Sequence, residues 1–284
     1  MKVLDSSTEI KRGDRFAFGE NWSRFLDILD DDRIREAESS LKNMLGLERL
    51  DGLTFLDAGS GSGLFSLAAW RLGAKVYSFD YDDQSAATTI EMRRRYCNNN
   101  SLWRVEAGSV LNKEYLSHLG QFDIVYSWGV LHHTGSMWQA MENVSSLVTP
   151  KGRLFIALYN DQEYISKFWL RVKRVYCSGS IGRLCVILSF FPFFSLAGLI
   201  GDCLRQRNPL LRYTAYRKKR GMSLTHDWID WLGGLPYETA KPEEVFEFYF
   251  KRGFTLSKLV TRQSLGCNEF VFQRNSNSLS NNHP

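Results

Sequence analysis

One stretch, FLDAGSGSGLF over residues 55–65, limits what this chain can fold into more than any other. An apolar run enters Gly59, Gly61 and Gly63 and leaves into a second apolar run with helical character. Glycine at this density lets the backbone turn sharply and approach a ligand with no side chain in between. A helix that starts there offers its first unpaired N–H groups to a polar or anionic group. Strand, glycine turn and helix in succession form the opening unit of an α/β sheet, whose ligands bind at the carboxyl ends of the strands.

The chain goes on repeating that unit. Apolar runs suited to buried strands lie at 53–58, 75–80, 103–107, 122–127 and 152–159, with helical stretches such as 64–72 and 84–97 between them. This alternation predicts a parallel sheet covered on both faces. A helix over about 242–252 and two late strands, 254–261 and 268–273, follow. Ahead of the sheet, Phe18, Trp22, Phe25 and Leu29 recur at three- and four-residue spacing, an amphipathic helix read as core packing. A second helix over about 33–45 stops near Gly46. The expected divisions are a helical cap over 1–50, a ligand-binding core over 51–160, an insertion over 161–239, completion of the core over 240–274, and a polar, disordered tail over 275–284. Five cysteines, Cys97, Cys177, Cys185, Cys203 and Cys267, form no CxxC pair. Their odd number argues against a disulfide framework and for a reducing compartment. The first sixteen residues hold no apolar signal core, so a cytoplasmic location is expected.

A dinucleotide site places its third glycine five residues after the first. Here that position is Leu64, and the glycines run G-x-G-x-G with Asp57 two residues before the first. On these residues the chain resembles the class I S-adenosylmethionine-dependent methyltransferases. The resemblance implies an α/β fold: a Rossmann-like, seven-stranded, mostly parallel sheet with helices on both faces, here with the N-terminal helical cap and a helical insertion after the fifth strand. It implies S-adenosyl-L-methionine as cofactor, held by Asp57, Gly59, Ser60, Gly61 and Gly63. Asp80 closes the second strand 21 residues after Gly59, where an acid accepts hydrogen bonds from ribose hydroxyls, and Tyr81 adjoins it. At the end of the third strand the family often carries an Asp that touches the adenine amino group. This chain has Ser109 there, so adenine contact falls to Ser109 and Val110. Trp128, at the mouth of the fourth strand, completes the cofactor set.

The stretch FDIVYSWGVLHHTGSMW, 122–138, resembles the fourth-strand motif of the ubiquinone-biosynthesis O-methyltransferase-like group. Aligned on Val130 and Leu131, His133 takes the place of that group's histidine. Methyl transfer to oxygen requires removal of the acceptor's proton, which suits a histidine near neutral pH. His133 is the first catalytic candidate and His132 the second. Neighbours at a helix start diverge by about 100°, so one of the pair faces the substrate. The rate is expected to fall as pH drops through the histidine range. Gly129 and His132 stand where the group carries glutamates, so no metal site is expected. Tyr159 and Asn160 end the fifth strand and are candidates for substrate contact. The segment THDWIDWLGGLPYE, 225–238, adds His226, Asp227 and Trp231, and reads equally well as a pocket wall or an aromatic corner of the core. Trp128, Trp138, Trp228 and Trp231 together imply an aromatic-rich acceptor pocket.

About 80 residues, 161–239, separate the fifth strand from the final helix and strands. Between Asp161 and His226 lie twelve Lys/Arg against three Asp/Glu, a balance of +9 in a chain of net charge +5. The middle, 184–201, has 18 uncharged residues, a marginal length for a membrane span. A single crossing would separate two flanks that feed one sheet, and Pro192 is expected to break the segment into two helices of about ten residues meeting near Phe190–Phe194. Three uses stay open: a lid over a small-molecule acceptor site, a homodimer surface, or a peripheral membrane contact through 181–207 at the inner face of the membrane. For the last, Lys167, Arg171, Lys173, Arg174, Arg205, Arg207 and the run 217–220 suit anionic lipid. That run beside Tyr213 and Tyr216 also raises an RNA methyltransferase, but one short basic run is a weak nucleic-acid signal. A non-catalytic cofactor-binding protein is the other alternative. The leading expectation is O-methylation of a small-molecule hydroxyl by in-line methyl transfer.

Overall fold

The computed structural model describes residues 6–19, 22, 25–27, 29–97, 102–204 and 224–276; within 224–230 it describes the side chains of Trp228 and Ile229 only. Expectations for 205–223 and for the tail beyond 276 lie outside these residues. Seven strands form one sheet: β1 (Thr54–Ala58), β2 (Lys75–Asp80), β3 (Trp103–Ala107), β4 (Phe122–Trp128), β5 (Val148–Tyr159), β6 (Phe254–Val260) and β7 (Cys267–Arg274). Their order is β3-β2-β1-β4-β5-β7-β6. The first five run parallel, and β7 is antiparallel to both β5 and β6. β5 begins four residues before the expected strand. Lys151 adopts a positive φ, and the register against β4 slips between Phe122 and Ile124. Pro150 and Gly152 interrupt the apolar run there, so only the part after them reads as a strand.

Helices cover both faces: α1 (Ser6–Arg12), α2 (Asp31–Leu45), α3 (Leu64–Arg71), α4 (Asp83–Tyr96), α5 (Lys113–Leu119), α6 (Met137–Ser146), α7 (Tyr164–Cys177), α8 (Ser180–Leu204), α9 (Leu224–Gly233) and α10 (Pro242–Phe250). Capping fixes their ends. Asp30 accepts from the Arg33 N–H at the start of α2, and Gly46 takes the left-handed turn that closes it, a position that favours glycine. Leu41, Leu67, Ala68 and Met92 fill one face of the sheet, and Met141, Val144, Val245 and Tyr249 the other. The core is therefore split by the sheet, which leaves the carboxyl ends of β1, β2, β4 and β5 open for a site.

The insertion builds its own small core from Val172, Tyr176, Val186 and Leu232, and Phe16 from the N-terminal segment packs into it. Two expectations need correcting. Pro192 does not divide the segment: α8 is one helix of 25 residues with the proline inside it. The proline forfeits one helical hydrogen bond, at a cost of ~3 kcal/mol. Phe190 and Phe194, on either side of it, both pack on Trp169, and Phe191 and Phe194 both meet Trp228. That shared contact layer holds both halves on one axis. Nor does Lys173 face a lipid surface. It is fully buried, its ammonium donates to the Trp231 carbonyl, and it lies 4.3 Å from the centre of the Trp231 ring.

Candidate functional site

The glycine turn after β1 forms one wall of a cavity of about 1290 Å³ at the carboxyl edge of the sheet. Gly59 and Ser60 donate their N–H groups to the Phe79 carbonyl at 2.8 and 3.1 Å, which ties the turn to β2. Gly59 has φ +93°, and a Cβ there would lie 2.4 Å from both methyl carbons of Val130. Gly61 has φ +54° and faces the Trp22 indole. Side chains at these positions would be strained and would press on Val130 or Trp22, so the turn keeps this shape only with glycine. Ser60 meets Thr89 at 2.9 Å, a bond that anchors the turn to α4.

Two carboxylates lie beneath the turn. Asp80 accepts from the Gly61 N–H at 2.9 Å and from the Asp82 N–H at 3.0 Å. A carboxylate has about four lone-pair positions, so acceptor capacity remains on the side that lines the cavity. Burial pushes its pKa up to about 6, against the pull of those two N–H groups. Asp57 is more deeply buried. Burial raises it to about 7, the Ser66 hydroxyl donating to it works the other way, and Asp80 adds repulsion. Ser109 and Val110 line the next part of the wall. The Ser109 hydroxyl accepts from the Leu111 N–H at 3.2 Å, and Asn143 donates to the Val110 carbonyl at 2.8 Å. Gly63 starts α3 in the left-handed region against Thr89 and does not itself line the cavity.

The cavity continues to Trp128, His133, Tyr159 and Trp231. Nδ1 of His133 lies 2.6 Å from the Pro236 carbonyl. A carbonyl only accepts, so Nδ1 carries the proton and Nε2 has the lone pair. Burial, together with Lys173 and Arg15 nearby, lowers the His133 pKa to about 3, against the Pro236 bond that raises it. The ring is therefore neutral throughout the ordinary histidine range, and the expected loss of rate through that range does not follow from this residue. His132 does not line the cavity. Its ring is buried 4.0 Å from that of Tyr159 and 4.5 Å from that of His133, without a hydrogen-bond partner among the described residues. Burial holds its pKa well below the usual value.

Other expectations need revision. Asn160 is buried and structural: its amide donates to the Arg262 and Ser264 carbonyls at 2.9 and 3.3 Å and accepts from Asn268 at 3.0 Å. It thereby positions the 262–266 loop, whose Ser264 and Leu265 do face the cavity. Trp138 is half exposed and packs on Phe248, away from the cavity. Trp228 meets α8 instead. His226 and Asp227 sit on α9, with side chains outside the described residues. The N-terminal segment, read as core packing, contributes wall: Phe18, Trp22 and Phe25 line the cavity with Arg15. Arg15 donates to the His133 carbonyl at 3.0 Å, and its guanidinium lies 4.8 Å from the centre of the Tyr81 ring. Glu269 of β7, also on the wall, accepts from the Trp128 indole; burial raises its pKa, opposed by Arg262 and Trp128. No sequence spacing links these segments, because they meet only through the fold. Among the described residues no group of three His, Cys, Asp or Glu gathers as a metal site.

Residues 56–154 match the methyltransferase domain family. The ubiquinone biosynthesis O-methyltransferase of Brucella ovis is 34% identical over 115 residues, 39% of this chain and 43% of that protein. This chain thus spans less than half the length of that relative. The magnesium protoporphyrin IX methyltransferase of Synechocystis, solved with S-adenosylmethionine, aligns over 96% of this chain and 99% of its own, with TM-score 0.55 and 14% identity. The 1,6-didemethyltoxoflavin-N1-methyltransferase of Burkholderia thailandensis aligns over 97% and 92%, with TM-score 0.50 and 15% identity. At these identities the two structures speak for the fold alone.

Proposed function

We propose that this chain, which carries a class I S-adenosylmethionine-dependent methyltransferase domain, methylates the hydroxyl of a small-molecule acceptor. One observation carries the reading: a single cavity joins the glycine turn and Asp80 to His133, Tyr159 and Trp231. Its 1290 Å³ exceeds the ~300–1,000 Å³ that one drug-sized ligand fills, leaving room for cofactor and acceptor together. The residues present fit the cofactor. Gly59 and Gly61 keep the turn free of side chains, Asp80 retains acceptor capacity, and the buried Tyr126 hydroxyl on the cavity wall has no partner among the described residues.

When bound, S-adenosylmethionine supplies an electrophilic methyl group on a sulfonium. In this reading the carboxylate of Asp80 accepts the ribose hydroxyls, and Ser109 and Val110 bound the adenine. His133 accepts the acceptor's hydroxyl hydrogen at Nε2, the nitrogen that its bond to Pro236 leaves with a lone pair. Tyr159, Trp231 and Phe18 shield that position from water. The name of the Brucella relative and the Val130–His133 match support oxygen as the methylated atom. The test is calorimetric binding of S-adenosylmethionine, followed by turnover of the methyl-labelled cofactor with matched phenols, alcohols and amines. Label in hydroxyl acceptors is expected. Label confined to amines would reject the hydroxyl reading, and binding without any turnover would favour a cofactor-binding protein.

A further inference from the structure

We propose that α8, with the outer face of α7, is a bilayer-docking surface that seats in a membrane carrying anionic lipid. From 184 to 201 the sequence holds no charged residue. In the structure one side of that stretch packs on α7 and α9, and the other side is covered by no described element. Ile181, Leu184, Leu188, Phe193, Leu196 and Leu204 are all exposed, Leu188 by 65% and Phe193 by 60%. At about 100° per residue they sweep an arc of roughly 200°. A helix packed on one partner needs an apolar stripe of only about 100°, and apolar character around most of the circumference marks a helix immersed in protein or lipid.

The polar details agree. Ser189 is exposed on this arc, and its hydroxyl donates to the Cys185 carbonyl one turn back at 2.8 Å, so it needs no water. The remaining side of the helix is committed: Phe190 and Phe194 pack on Trp169 of α7, and Phe191 on Trp228 of α9. Because α7 and α9 both lead back to the same sheet, the helix lies in one leaflet and does not cross. Charge selects the lipid. Lys167, Arg171 and Arg174 are exposed on α7 at four- and three-residue spacing, one cationic stripe with no carboxylate between them, and Arg183 stands where α8 begins. Juxtamembrane cations of this kind are drawn to anionic headgroups. The docked layer also adjoins the cavity, since Trp169 touches both Phe190 and Trp231, a cavity-wall residue.

Flotation of the full chain with phosphatidylcholine vesicles, with and without phosphatidylglycerol, tests this. The parent is expected to float with the anionic vesicles. Leu188→Glu/Phe193→Glu/Leu196→Glu should abolish flotation while calorimetric affinity for S-adenosylmethionine stays unchanged, which shows the fold intact. Lys167→Glu/Arg171→Glu/Arg174→Glu should weaken binding to anionic vesicles by roughly fivefold or more per residue at low salt. A parent that stays at the bottom of the gradient overturns the proposal. If light scattering then shows a dimer that the apolar triple variant dissociates, the occupant is a second copy of this chain. Equal flotation of parent and apolar variant also overturns it. Flotation is read without turnover, so its failure and that of the methyl-transfer reading are separate results.

Discussion

The cavity has two walls of different construction. The wall under Asp80 comes from one short piece of chain: β1, the glycine turn, the start of α3, and β2. Each of its parts is fixed by a neighbour in that piece, as when Gly59 bonds to Phe79 or Asp80 bonds to the Gly61 N–H. The opposite wall gathers Arg15, Phe18 and Trp22, then His133, Tyr159, Trp231 and Glu269, from segments spread along the chain from residue 15 to residue 269. Its hydrogen bonds run between segments, Arg15 to His133 and His133 to Pro236. A locally built wall tolerates little change but depends on little else. The assembled wall holds its position through contacts between segments, of which His133 with Pro236 is one that reaches the insertion.

The largest break expected in this comparison is Gly59→Val. The substitution forces a β-branched residue into the left-handed region and against Val130, and the displaced turn should lower affinity for S-adenosylmethionine by a hundredfold or more, read by calorimetry. Unchanged affinity would remove the glycine turn from the cofactor site. Next comes His133→Ala, on the assembled wall. The rate should fall by about tenfold, the scale of one lost orienting hydrogen bond of ~1.4 kcal/mol, because a ring with a pKa near 3 is a weak proton acceptor, with cofactor affinity held within about twofold. Because burial keeps the His133 pKa near 3, the parent's rate should show no inflection between pH 6 and 7 from this ring. An inflection there that His133→Ala removes would show that the ring titrates normally in solution.

The sequence made the first wall legible and most of the second not, for the same reason. FLDAGSGSGLF and the acid at Asp80 report a backbone that must turn and bond locally, and local geometry leaves a local pattern. The five parallel strands were equally readable, except where Pro150 and Gly152 hid the first residues of β5. Phe18 and Trp22 carry helical spacing, and spacing does not distinguish a face turned to a core from one turned to a cavity. Asn160 sits at a strand end where substrate residues are expected, but the carbonyls of Arg262 and Ser264 claim its amide. His132 and His133 look equivalent in sequence; only the Pro236 carbonyl, about a hundred residues away, distinguishes them. Pro192 misled because a proline's local effect was outweighed by aromatic packing on both sides of it.

The smallest effect expected concerns Asp57 and sharpens what the first wall costs the empty protein. In the fold its pKa is raised to about 7, with burial the main cause, whereas in the unfolded chain it lies near 3.9. The folded state therefore binds the proton more tightly. The stability tied to this group is fully present below the unfolded value and is lost as pH rises through about 7. Asp80, raised to about 6, acts with the same sign. His132 and His133 act with the opposite sign, because their lowered values make the fold lose stability as pH falls below the ordinary histidine pKa. Comparing the parent with Asp57→Asn cancels these other groups to first order, since both proteins carry them. The amide resembles the protonated carboxyl and can still accept from the Ser66 hydroxyl. Without cofactor, the melting temperatures of the two proteins should nearly agree at pH 4. The variant should then gain progressively toward pH 8, where a difference of ~1 kcal/mol would separate them by about 2–4 °C. A gap that stays constant from pH 4 to pH 8 would mean that Asp57 ionises as an ordinary carboxylate, with water reaching the floor of the glycine turn.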